Sequence, residues 1–109
     1  MHVLLALQRG SMAIFELAPG QVSTPMRHRS VEELWYVLAG EGEMWRHDAV
    51  GEAVVSLQPG LCLSLPLGTD FQFRCLGGEA LRAVAVTLPP WPGDAEALPV
   101  TGRWMPTAP

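Results

Sequence analysis

Lysine and asparagine are absent from the 109 residues, isoleucine and tyrosine occur once each, and there are only two cysteines. Without lysine, positive charge rests on seven arginines that are scattered rather than clustered, against eleven acidic residues and a net charge of −4. Binding a phosphate backbone or an anionic membrane surface needs a positive face, so the sequence argues against nucleic acid and membrane as partners. No apolar run approaches the ~20 residues of a membrane-spanning helix. The apolar start Met1–Leu7 is too short for a signal-peptide core and has no basic residue before it, so the cytoplasm is the expected compartment. Cys62 and Cys75 lack metal-type spacing and lie in apolar segments, which predicts buried thiols in a reducing compartment. If their strands form a hairpin about Pro66 to Asp70, the two approach closely enough for an accidental disulfide. Neither cysteine has a neighbouring histidine, and no G-x-S-x-G turn or phosphate-cradling glycine loop exists. The missing Lys and Asn, beside abundant Ala, Leu, Gly, Pro and Arg, suggest a GC-rich coding genome and bear on source only.

What remains is a chain with 49% hydrophobic residues, enough for one folded domain with its own core. Helical signals are nearly absent. Short alternating or continuously apolar segments predict strands over Val3–Leu7, Met12–Leu17, Gln21–Met26, Glu33–Ala39, Glu43–His47, Ala53–Leu57, Leu61–Leu65, Phe71–Cys75 and Leu81–Leu88. Turn residues such as Pro19-Gly20, Pro59-Gly60 and Gly77-Gly78 separate them. This pattern predicts an all-β jelly roll or small barrel, a single domain over residues 1–109 with its core at about 10–88. The tail from Pro89 to Pro109 holds six of the ten prolines and cannot form a central strand. Its Trp91 and Trp104 are costly to leave in water, so the tail is expected to lie across the barrel or a neighbouring subunit.

Two spaced motifs stand out. Gly20 is followed by five residues, Met26-Arg27-His28, four residues, Glu33, six residues and Gly40. Further on, Gly60 is followed by five residues, Pro66-Leu67-Gly68, two residues, Phe71, three residues and Cys75. Together they resemble the paired motifs of the cupin superfamily, most closely its small bacterial single-domain members without an established activity. The resemblance implies a double-stranded β-helix, with the glycines and Pro66 as the turn scaffold. It also implies a site for a divalent transition metal held by three histidines and a glutamate, but Met26 and Phe71 replace two of those histidines. Cys75 replaces the asparagine of the second motif. Only His28 and Glu33 remain as ligands, a set too small for tight binding of a divalent ion, so no cofactor is expected. A thioether at Met26 would suit only copper(I). His47 reads as a solvated residue beside Asp48, and His2 as part of a mobile terminus.

Alternation assigns the pocket. If Glu33 points inward, so do Trp35 and Val37, leaving Leu34, Tyr36 and Leu38 as an apolar outer face to be covered by a homodimer contact or the N-terminal strand. Phe71, Phe73 and Cys75 take the inner face of their strand, as core packing or as ligand contacts, with Gln72 and Arg74 on the solvent side. A two-residue type I′ hairpin at Glu41-Gly42 would put Met44 and Arg46 inward; a one-residue slip would turn them out. An inward Arg46 would favour an anionic group on the ligand. Arg27 and Arg29 are expected as surface charges near Glu32.

These residues support three functions. The first is a small-molecule-binding module, with a sugar-like or anionic ligand against Met26, Trp35, Arg46, Phe71 and Phe73, anchored by His28 and Glu33. The second is a metal-independent isomerase or epimerase with His28 as general base and Glu33 raising its basicity and fixing its tautomer; the outward Tyr36 leaves it without a second acid. The third is a metal-dependent oxidoreductase of the dioxygenase type, with His28 and Glu33 as the remaining ligands.

Overall fold

The computed structural model describes residues 1–107. Ten strands follow one another: β1 His2–Leu7, β2 Gly10–Leu17, β3 Met26–His28, β4 Glu32–Ala39, β5 Gly42–His47, β6 Glu52–Leu57, β7 Cys62–Leu65, β8 Asp70–Cys75, β9 Leu81–Leu88 and β10 Ala97–Pro99. A single 3₁₀ turn, Asp94–Glu96, precedes β10. All pairings are antiparallel, in two five-stranded sheets of order β1-β2-β9-β4-β7 and β10-β3-β8-β5-β6. This is the all-β, double-stranded β-helix arrangement that the motifs predict. It is a sandwich of two facing sheets rather than one closed barrel. Among the described residues, no helix is long and apolar enough to cross a membrane.

Strand alternation builds the core. β2, β4 and β9 each bury every second residue, the period that one solvated and one packed face require. Phe15, Trp35 and Phe73 meet between the sheets. Phe15 stacks on Trp35 at 4.8 Å, and Phe73 meets both edge-on at 5.6 and 5.0 Å. Met44, Leu57, Leu65 and Leu81 fill the space around them.

Turns at the motif glycines carry the chain between sheets. In Ala18-Pro19-Gly20-Gln21 and Gln58-Pro59-Gly60-Leu61, proline takes the second place and a positive-φ glycine the third. The first carbonyl accepts from the fourth amide at 3.0 Å in both, the pattern of a type II turn. The segment Glu41-Gly42 is no hairpin, because β4 and β5 belong to different sheets. Gly40, at φ 82°, instead turns the chain across while pressed against the Ala80 backbone. Met44 nevertheless faces inward, since the period of β5 does not depend on the turn before it.

Similarly, Pro66 to Asp70 joins strands of opposite sheets. Cys62 lies on the outer face opposite Tyr36 and is exposed, whereas Cys75 is buried, and both thiols are free. The expectation of two buried, adjacent thiols is corrected. Gln72 is also not on the solvent side: it is 0% exposed, because residues from the tail lie over it. Its amide donates to the carbonyls of Ser23 (2.9 Å) and Trp104 (2.7 Å) and accepts from the amides of Arg103 and Trp104. The Arg74 guanidinium, paired with Glu43, sits 4.2 Å from the Trp104 ring centre. Within the tail, β10 joins β3 as an edge strand, the place where its proline is tolerated. β1 extends the first sheet at its edge and does not cover Leu34, Tyr36 or Leu38.

Candidate functional site

His28 ends β3 in the second sheet and Glu33 lies near the start of β4 in the first, so the short turn between them crosses the sandwich. A residue from the tail fastens that turn. Glu96, 2% exposed, accepts from both the amide and the hydroxyl of Ser30, and its own carbonyl accepts from the Arg29 amide at 2.9 Å. Trp91, whose amide donates to Ser11 Oγ, lies edge-on to the His28 ring at 5.4 Å, and Phe71 approaches it at 5.2 Å.

His28 Nε2 stands 3.9 Å from Glu33 Oε2. The other Glu33 oxygen accepts from the Trp35 indole at 3.0 Å, while Oε2 is buried with no hydrogen-bond partner among the described residues. Burial pushes the Glu33 carboxyl up to about 7 against the opposing Trp35 hydrogen bond. Burial also lowers the His28 pKa, with Glu96 and a backbone hydrogen bond at Val31 opposing. The groups that support the charged imidazole are thus Glu96 and the Val31 backbone, and burial outweighs them. For Glu96, burial is outweighed by the Ser30 hydrogen bonds and by His28, and its pKa is lowered. Near neutral pH the site holds a neutral imidazole, a carboxyl close to half protonation and a second carboxylate already committed to Ser30.

The other sequence-derived residues divide. Met26 pairs with Phe71 across β3 and β8 and packs partly exposed against the core. Trp35, Phe71 and Phe73 are buried in that core. Arg46 pairs with Phe71 on the inward row but lines a surface hollow of about 310 Å³ beside Asp48, Val50 and Glu52, which neither His28 nor Glu33 lines. Arg27 is exposed, as expected, and its Nε meets Asp70 Oδ1 at 2.6 Å, because β3 pairs with β8. His47 lies half-exposed, stacked on Trp45 and 3.8 Å from Asp70. A cleft of about 300 Å³ opens beside Met26, lined by Phe15, Leu17 and Phe73 and by the polar Glu16, Gln21, Ser23 and Thr24, and neither His28 nor Glu33 lines it. Sequence reading missed Ser30, Trp91 and Glu96. The need to cover Trp91 was a signal; an acidic residue in an Ala- and Pro-rich tail was none.

The residues present do not fit a tightly held transition metal. Such an ion takes four or more donors at about 2.0–2.3 Å, and His28 and Glu33 supply two, with a phenyl ring where a third imidazole would stand. Among the described residues, no three His, Cys, Asp or Glu side chains form a metal-holding group.

Comparison with known proteins places this geometry. No curated protein matches the sequence. The fold is shared with an uncharacterised conserved protein with a double-stranded β-helix domain from Klebsiella pneumoniae, at 23% identity and TM-score 0.70, over 80% of this chain and 69% of that one. An oxalate decarboxylase variant from Bacillus subtilis matches at 16% identity and TM-score 0.77, over 85% of this chain and 24% of its own. A recombinant oxalate oxidase in complex with glycolate matches at 19% identity and TM-score 0.69, over 73% of this chain and 42% of its own. At such identities the likeness is one of fold, and this chain spans less than half of either oxalate enzyme. The cupin-domain family model matches residues 13–87, the span that carries both glycine motifs, the His28–Glu33 pair and the aromatic core: the chain belongs to the cupin family.

Proposed function

We propose that this cupin binds a small hydroxylated molecule, placing one polar group between His28 and Glu33, without a resident transition metal. The observation that carries the reading is Glu33 Oε2, buried and without a hydrogen-bond partner among the described residues, 3.9 Å from His28 Nε2. That gap is too long for a direct hydrogen bond, but one oxygen at about 2.8 Å from each atom bridges it. A buried polar atom left unmatched costs roughly 1–3 kcal/mol, which a ligand hydroxyl or carbonyl would offset. Glu33 lines a hollow of about 250 Å³ together with Leu34, Ser64, Leu65 and Leu88, a mostly apolar setting for one polar anchor. Since Arg46 lines a different hollow, nothing at the pair selects an anion, and a neutral, sugar-like ligand suits it better.

Isothermal titration with a panel of neutral sugars, polyols and small hydroxy acids tests this. Binding by at least one neutral member is expected, weakened about 10- to 100-fold by His28→Ala or Glu33→Ala. Silence across the panel, or binding indifferent to both substitutions, overturns it. Elemental analysis of untagged protein is expected to find far less than one metal ion per chain; a stoichiometric transition metal refutes the metal-free part and restores the dioxygenase reading.

The opposed shifts of His28 and Glu33 favour a second reading, metal-independent acid–base catalysis of an isomerase or epimerase kind, with neutral His28 as base and Glu33 as proton donor. Its weakness is the far side of the substrate: Tyr36 is on the outer face. Turnover on any panel sugar that survives His28→Ala removes it.

A further inference from the structure

We propose that the tail segment of residues 89–93 is a gate on the His28–Glu33 site, opening about Gly93 to let a small molecule reach His28, an inference that rests on the binding reading for what the gate admits and not for its motion. In the closed form the site is sealed. His28, Glu33, Ser11 and Thr87 are 5%, 1%, 5% and 0% exposed. The hollow beside Leu65 is lined by Glu33 but not by His28, and neither residue lines the cleft beside Met26. A ligand therefore reaches the imidazole only if a covering element moves.

Two kinds of element surround the pair. β9 is paired on both sides, with β2 and β4, and central strands of that kind do not part locally. The tail is held differently. Trp91, partly exposed, sets its ring edge-on to His28 at 5.4 Å, between the imidazole and solvent. Its segment reads Pro89-Pro90-Trp91-Pro92-Gly93, and proline has no amide hydrogen, so only two of these five residues can donate from the backbone. The Trp91 amide goes to a side chain, Ser11 Oγ, at 2.9 Å. Register sets Thr87 between Ser11 and Glu33 on the inner face of the first sheet, and the Ser11 and Thr87 hydroxyls bond to each other. The latch thus ends in the same row of buried polar side chains as Glu33, and releasing Trp91 opens the site at Ser11 and His28 together. On either side of the segment the chain is fastened, by β9 before it and by the Glu96 carboxylate on Ser30 after it. Gly93, at φ 130°, turns the chain from one anchor to the other in a conformation that other residues rarely adopt, and a Cβ there would meet open space. It is the hinge: the closed form needs this glycine, and nothing packs against it.

The test is modification of the full chain by diethyl pyrocarbonate near neutral pH, followed histidine by histidine by mass spectrometry. This reagent acylates neutral imidazole and needs no ligand. His47, half-exposed on the outer side of β5, is the internal reference. Native His28 is expected to react at least ~30-fold more slowly than His47. Gly93→Ala strains the closed form without touching the site and is expected to speed His28 by about 5- to 30-fold. Trp91→Ala is expected to speed it at least as much, and His47 to keep its native rate in both. A native His28 as fast as His47, a His28 rate unmoved by both substitutions, or equal acceleration at His47 overturns the gate. Native protein gives a second measurement that stands even if a variant fails to fold. A local opening exposes little surface, so the His28 rate is expected to be nearly independent of urea below the unfolding transition; a rate that climbs with urea as global unfolding does refutes the gate. The gate and the binding reading fail separately. A gated His28 with no binder in the sugar panel removes the ligand alone, and a binder with an ungated His28 removes the gate alone.

Discussion

Burial of the Glu33 carboxyl, with one oxygen on the Trp35 indole and the other unmatched, makes its charged form the expensive one. Its pKa is raised from 4.5 to about 7, so its favourable contribution is full below pH 4.5 and is lost as pH rises through 7. Glu33→Gln keeps the shape and stays neutral. Relative to native protein the variant is expected to gain about 3 kcal/mol between about pH 4.5 and 8, measured by urea unfolding at both ends. A difference that does not change with pH would show that Glu33 is not neutralised by its surroundings. His28 has the opposite sign: with its pKa lowered, its contribution is present above 6.5 and lost as pH falls, so the two groups tilt stability in opposite directions with pH. Which residues would meet was legible because the His28 and Glu33 spacings are motif spacings. Their protonation was not, because it depends on which neighbours displace water, and two of those, Trp91 and Glu96, come from the far end of the chain.

At the scale of elements, the glycine turns decide where each strand goes. Gly20 and Gly40 share a φ of 82°, yet a Cβ at Gly20 meets open space while one at Gly40 would run into the Ala80 carbonyl and the Leu81 backbone. Gly20→Ala is therefore expected to lower stability by about 1–2 kcal/mol, the strain of a left-handed residue alone, and Gly40→Ala by at least ~3 kcal/mol, since the crossing itself must shift. Thermal unfolding of the two variants checks the ordering; equal losses would mean that the approach at Gly40 is not tight. The strands were readable from alternation, and most observed boundaries fall within a residue or two of the expected ones. Partners were not. Consecutive strands joined by a short turn suggest a hairpin, and here two such turns, at Glu41-Gly42 and at Pro66 to Asp70, cross between sheets instead. Period 2 tells which face a side chain takes and is silent on which strand lies alongside.

For the whole molecule, the tail and the sandwich are joined through Gln72. Its side chain makes four hydrogen bonds, three of them to Arg103 and Trp104. Gln72→Ala would leave those groups unmatched and release Trp104 from Arg74. A loss of about 2–4 kcal/mol is expected, with a red shift of tryptophan emission under native conditions. Unchanged emission would mean that Trp104 is held by other contacts. Read from sequence, Gln72 belongs on the solvent side because a polar residue on an alternating strand ordinarily faces water, and only the returning tail makes it an interior residue. The same holds for Cys62, an apolar-looking position on a face that the monomer leaves bare. Local information therefore determined the all-β class, the family, the inward rows and the loss of two metal ligands, since each depends on residue type and on spacing along one or two strands. The tertiary structure alone decided that the sheets face each other without closing, that Glu96 and Trp91 complete the His28 site, and that one outer face is covered and the other is not. Those outcomes depend on contacts between residues thirty to eighty apart in sequence, and the strength of such contacts is set by burial, which no single segment carries.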